Sequence, residues 1–239
     1  MVSSGLRPAS ATDLPSAVLS NCSIIADPIS TYHNLSRPPR VRHWDCRGPV
    51  LALSEPNVKS PAHVDLLHLV NPRLDRVQGI WFFEKNGRLR SPCEFEARLE
   101  IPVVPPKSYA LRMTLERLQG RETFGIGVVA GGRQTMISID NSNSRFTGLH
   151  NLDGKPAGAN ESTKRGTFLP LHQVAQLECR VTDRAIRLII DKQEVLNWQG
   201  DPARLSVSPD WPVPHSDWLF ISAFSSEFEI SSFALEVVK

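Results

Sequence analysis

From Ser108 to Asp140 apolar and polar positions alternate with the period of two that half-buries a β-strand. Tyr109, Leu111, Met113 and Leu115 fall on one phase, and Ala110, Arg112, Thr114 and Glu116 on the other. Phe124, Ile126, Val128 and Ala130 repeat the pattern, as do Thr135, Ile137 and Ile139. Gln119-Gly-Arg-Glu122 and Gly131-Gly132 separate the three runs, and paired glycines supply the positive φ of a tight turn. The pattern predicts a three-stranded antiparallel meander with one face on a core.

The same signal extends to both sides. Residues 62–69 carry a mixed apolar face and are expected to form a short helix that ends before Pro72. Ile80-Trp-Phe-Phe83 reads as a strand buried on both faces or at an edge, Asn86-Gly87 as a hairpin turn, and Phe95, Ala97, Leu99 and Ile101 as the inner face of the next strand. Arg145-Phe-Thr-Gly-Leu149 is a short strand within a long Asn- and Gly-rich stretch. Alternation resumes at Ala175, Leu177, Cys179 and Val181, and again at Ile186, Leu188 and Ile190. Asp201-Pro202 can start one helical turn. In the last strand the apolar phase slips between Ile230 and Phe233, which predicts a bulge at Ser231-Ser232. About a dozen short strands with almost no helix predict an all-β fold, an antiparallel two-sheet β-sandwich over residues 62–239. Residues 1–61 are rich in proline and serine without periodicity, and read as a largely disordered leader or linker.

Composition narrows the chemistry. A chain of 239 residues that is 41% apolar fills a core, and a net charge of +2 gives no general affinity for polyanions, so no nucleic-acid partner is expected. The four cysteines show no C-x-x-C spacing and no zinc site is expected; Cys22 and Cys46 could pair in an oxidising compartment. No stretch has the length of a membrane span or the form of a secretory signal, so a soluble, cytoplasmic protein is expected.

Several strings carry a family resemblance. Val77-Gln-Gly-Ile-Trp81, Tyr109-Ala-Leu-Arg112, Gly131-Gly-Arg-Gln134, Gly148-Leu149 with Asp153-Gly-Lys-Pro156, Asn160-Glu161 and Trp198-Gln-Gly-Asp-Pro-Ala-Arg-Leu-Ser206 resemble the concanavalin A-like (lectin/glucanase, laminin-G-like) domains of large bacterial multidomain proteins, distantly akin to DUF1080 domains. The resemblance covers roughly residues 63–239. It implies a jelly roll with first and last strands adjacent, and a glycan-binding or interaction role; it brings no catalytic residues.

Two kinds of site follow from the residues. Glu94, Glu96 and Glu100 fall at even spacing on one strand face, which suggests the paired carboxylates of a glycoside hydrolase. The E-x-D-x-x-E pattern of the glucanases is not matched, and the bland alternative is the solvent face of a strand. The better candidate pairs polar loop residues with aromatic platforms, because a sugar has a polar rim and an apolar face. Asp140, Asn141, Asn143, Asn160, Glu161 and Arg165 would supply the polar groups, and Trp198 or Trp211 the platform. No cofactor is expected; the oxygen-rich loop could hold Ca²⁺, but no D-x-D-x-D run supports it. The expected function is a non-enzymatic module binding a carbohydrate or protein partner, with a glycoside-acting hydrolase or a structural accessory domain as alternatives.

Overall fold

The computed structural model describes residues 51–52 and 63–238, all within one compact unit. The expected leader, Leu51–Ala52 apart, lies outside the described residues, as do Cys22 and Cys46. Among the described residues seventeen strands run in order. They are β1 (Leu51–Ala52), β2 (His63–Asp65), β3 (Arg76–Gln78), β4 (Phe82–Phe83), β5 (Leu89–Arg90), β6 (Ala97–Ile101), β7 (Val103–Val104), β8 (Tyr109–Gly120) and β9 (Phe124–Ala130). Then come β10 (Arg133–Asp140), β11 (Phe146–His150), β12 (Lys164–Arg165), β13 (Val174–Val181), β14 (Ala185–Ile190), β15 (Gln193–Gln199), β16 (Leu219–Ala223) and β17 (Ser226–Val237).

Two sheets form the sandwich. The front sheet has the order β12-β11-β10-β9-β16-β6-β3, the back sheet β15-β14-β13-β8-β17-β5-β4 with β2 also on β17. Their ladders are antiparallel; β1 and β7 add a small parallel pair. Tyr109, Leu111, Met113 and Leu115 meet Leu99, Ile126, Ile137 and Ile221 in one continuous core, in which the inward phase of every long strand is buried. Cys179 is a buried free thiol there, and Cys93 takes part in a disulfide.

Two expectations change. The meander is not a sheet unit. β8 pairs with β13 and β17 in the back sheet, and β9 with β10 and β16 in the front sheet, so the turn at 121–123 carries the chain across the sandwich. A hairpin and a sheet-to-sheet crossing give the same alternation, because each strand's inward phase faces the same core. Residues 63–65 form a strand rather than a helix, drawn out by pairing with Ala234, Leu235 and Glu236. Phe82–Phe83 takes the edge placement of the two expected for this strand, and it is exposed there. Other details match: the β17 register shifts between Ile230 and Ser232, and Asp201 caps the 3₁₀ turn Pro202–Arg204 by accepting from the Ala203 amide at 2.9 Å.

Candidate functional site

The register fixes which side chains share the outer face of the front sheet. One row is Arg98, Ser222, Gly125, Ser138 and Gly148; the next is Glu100, Phe220, Gly127, Met136 and His150. Cross-strand partners point to the same face. The glycines of β9 make room: a Cβ on Gly127 would lie 2.0 Å from the Phe220 ring, and one on Gly125 2.8 Å from Met136 Sδ.

This face is covered by two segments of the chain. Residues 206–218 lay Trp211, Val207 and Val213 over Met136 and Phe220. Arg98 donates to Asp210 O (3.1 Å) and Gln78 Oε1 (2.7 Å), and its guanidinium lies 5.8 Å from the Trp211 ring centroid. Glu100, 2% exposed, accepts from the His215 amide (2.8 Å) and lies 2.9 Å from His215 Nδ1, while that imidazole stacks on Trp218 at 3.7 Å. Gln134 fastens the same segment through the carbonyls of His215 and Trp218. His150 Nδ1 is buried with no hydrogen-bond partner, and burial holds its pKa below the usual histidine value.

The expected acidic strand face is therefore absent. Glu96 has φ 55° and precedes the strand, and Glu94 is outside it. Glu100 is buried under His215 rather than facing solvent, and Phe95 is 57% exposed rather than inward. Leu99 and Ile101 keep the inward phase, but Phe95 loses it because the left-handed residue Glu96 turns the chain.

The second cover is residues 151–166, and it absorbs two expected ligands. The Asn160 amide nitrogen donates to Leu149 O, Lys155 O and Pro156 O, while its oxygen accepts from the Ser162 amide and hydroxyl. Glu161 pairs with Arg204 at 2.9 Å, and Arg204 also holds Asp153 at 2.6 Å. Hydrogen bonds to two carboxylates raise the Arg204 pKa and lower that of Asp153. Asn151 reaches Ser206 Oγ at 2.7 Å, so the two covering segments are tied together. The strings quoted around residues 148–161 and 198–206 thus converge on one interlocking network.

Asp140 is also engaged inside the protein. It is 0% exposed; Oδ2 takes the Arg117 Nη2 proton at 3.0 Å and the Leu169 amide at 2.9 Å, and Oδ1 the Phe168 amide at 2.8 Å. Arg117 completes itself on Leu169 O and Glu122 O, 5.0 Å from the Phe228 ring centroid. Trp198 and Trp211 are 3% and 7% exposed and present no open aromatic face. Trp198 is the inward residue of edge strand β15, and Trp211 is the apolar anchor of the covering segment.

Of the remaining expected residues, Asn141 and Arg165 come together. Asn141 bridges Phe146, and Phe146 pairs with Arg165, so Asn141, Phe146 and Arg165 form a third row at the β12 edge. Asn141 donates to Ser138 Oγ of the first row at 2.9 Å. Asn143 and Arg165 are exposed, and their side chains make no hydrogen bond or ion pair with any described residue. Asp140, Ser142, Asn143 and Ser144 all have positive φ, between 54° and 61°, in a left-handed turn that glycine-free sequence rarely adopts. Its surroundings hold it: the Asn143 amide donates to Glu122 Oε1, Ser144 Oγ to Arg121 O, and Thr167 Oγ1 to Ser144 O. Phe146, half-buried against Gly158, is the aromatic member that the tryptophan candidates displaced; its alternation with Gly148 was visible, but its pairing with Arg165 was not.

Among the described residues no group of three or more His, Cys, Asp or Glu is placed to hold a metal ion. No helix among them is long and apolar enough to cross a membrane.

No protein-family model matches the chain, and no curated protein matches it. Solved structures similar to it include the carbohydrate-binding module CBM66 from Bacillus subtilis, at 8% identity and a TM-score of 0.48, covering 79% of this chain and 99% of that one. The exoplasmic/lumenal domain of VIP36 in a Ca²⁺/Man3GlcNAc-bound form aligns at 11% identity, a TM-score of 0.45, and 72% and 88% coverage. The Caenorhabditis elegans galectin LEC-6 aligns at 9% identity, a TM-score of 0.38, and 66% and 100% coverage. The fold itself is an antiparallel two-sheet β-sandwich.

Proposed function

We propose that this chain is a non-enzymatic carbohydrate-binding module whose ligand lies at the β12 edge of the front sheet. The row Asn141, Phe146 and Arg165 carries the reading. It sets an amide, a half-buried ring and an uncommitted guanidinium side by side, beside the exposed Asn143 amide. A ring face suits the C–H surface of a pyranose, and amides and guanidinium suit its hydroxyls. The left-handed turn is held from three sides, so the polar groups need little ordering on binding. The committed roles of Asp140, Asn160 and Glu161 make them supports of this edge rather than ligands.

A glycan-binding screen of the full chain, followed by titration of the hits, tests the reading. Arg165→Gln and Asn143→Ala are expected to weaken a hit at least fivefold without changing the melting temperature. A screen without hits, or hits indifferent to both substitutions and to Phe146→Ala, overturns it.

A further inference from the structure

Eight of the fifteen described arginines are ion-paired, and seven, Arg73, Arg76, Arg121, Arg133, Arg145, Arg165 and Arg184, are not. Arg88, Arg90, Arg98, Arg112, Arg117, Arg180, Arg187 and Arg204 each have a carboxylate within ion-pair distance. Arg121, Arg145 and Arg165 are exposed and pair with no carboxylate of the described residues. These three belong to one end of the sandwich. Ser144 Oγ binds Arg121 O at 2.9 Å, the Gly166 amide binds Arg145 O at 3.0 Å, and Arg165 is the register partner of Phe146. The Glu122 carboxylate, next to Arg121 in the sequence, accepts the Asn143 backbone amide at 3.0 Å. Arg204 holds Asp153 and Glu161 on the neighbouring loop. Three exposed arginines on the segments around the proposed row thus have no ion-pair partner among the described residues, whereas eight of the other twelve described arginines do.

We propose that the ligand at this edge is an anionic saccharide, its carboxylate or sulfate group received by Arg121, Arg145 and Arg165. Guanidinium matches both groups with paired N–H donors, and charge-assisted hydrogen bonds of this kind are the stronger ones. The inference rests on the carbohydrate-binding reading and adds the class of sugar. Arg121 and Arg145 are new members of the site; Asn141 and Phe146 fix the ring, and the arginines select the charge.

The test compares probes of one backbone: polygalacturonate against its methyl ester, and dextran sulfate against dextran, titrated into the full chain. The wild type is expected to prefer a charged member at least tenfold, with affinity falling as salt rises. Which pair shows the preference identifies uronate or sulfate. Arg121→Gln/Arg145→Gln removes two charge-assisted donors and is expected to lose at least tenfold. Arg133→Gln/Arg184→Gln removes the same charge from exposed, unpaired positions on the turns at the opposite end, and is expected to leave binding unchanged. Equal loss in the two double variants, or equal affinity for charged and neutral members, overturns the proposal. Neutral binding that Phe146→Ala abolishes overturns only the charge selection, whereas no saccharide binding at all overturns the carbohydrate reading with it.

Discussion

Arg117 and Asp140 form an ion pair wholly inside the protein, 1% and 0% exposed, with Nη2 and Oδ2 3.0 Å apart. The pair stitches the back sheet to the end of β10 and to the amides at 168–169, directly beneath the left-handed turn. Removing one partner leaves the other buried without its counter-charge. Asp140→Ala is expected to lose about 3–5 kcal/mol in urea unfolding. Replacing both, Arg117→Met/Asp140→Leu, is expected to recover much of it, and a double variant no better than the single would refute this account.

Gly127 lies under the ring of Phe220, which is fully buried and has no free direction in which to turn. Gly127→Ala is expected to destabilise by about 1–3 kcal/mol through overpacking. Gly132→Ala meets no atom within 4 Å, but its φ of 73° strains any side chain, so about 1 kcal/mol is expected there. Thermal melts of the two variants rank them.

Arg204 joins Asp153 to Glu161 at the surface, where solvent screens the pairs, so its contribution to global stability is small. Its effect is expected in local opening. Arg204→Ala should raise amide exchange across residues 151–163 while β8 and β17 stay protected. Uniform exchange in variant and wild type would show that the loop is held without it.

Burial pushes the Cys179 thiol up to about 12 from its ordinary 9.0. Between those values the native state keeps a proton that the unfolded chain has lost. The native state therefore binds more protons, and stability falls as pH rises through this window. Cys179→Ala should flatten that alkaline slope. In the native protein the thiol should resist alkylation at pH 8, reacting only on unfolding.

Strand phases were legible in the sequence wherever one side faced the core, as with Tyr109 to Leu115 and Ala175 to Val181. So were features made by neighbouring residues, such as the Asp201 cap and the slip at Ser231-Ser232. Sheet membership was not, because β8 and β9 alternate alike whether they pair or cross. Nor was the covered outer face. Glu100 looks solvent-exposed until His215, 115 residues later, closes over it. The same holds for the polar candidates: Asn160, Asp140 and Asn141 find partners in the fold, and of the expected polar residues only the Asn143 and Arg165 side chains have none among the described residues.

The pairing of β2 with β17 sets how the sandwich responds to tension. His63 sits opposite Glu236, Val64 opposite Leu235 and Asp65 opposite Ala234. A pull applied between residues 63 and 236 loads this ladder one rung at a time rather than all together. Single-molecule stretching from those points should therefore peel β2 away at low force, whereas handles at the two ends of β8 would have to shear its ladders with β13 and β17 at once.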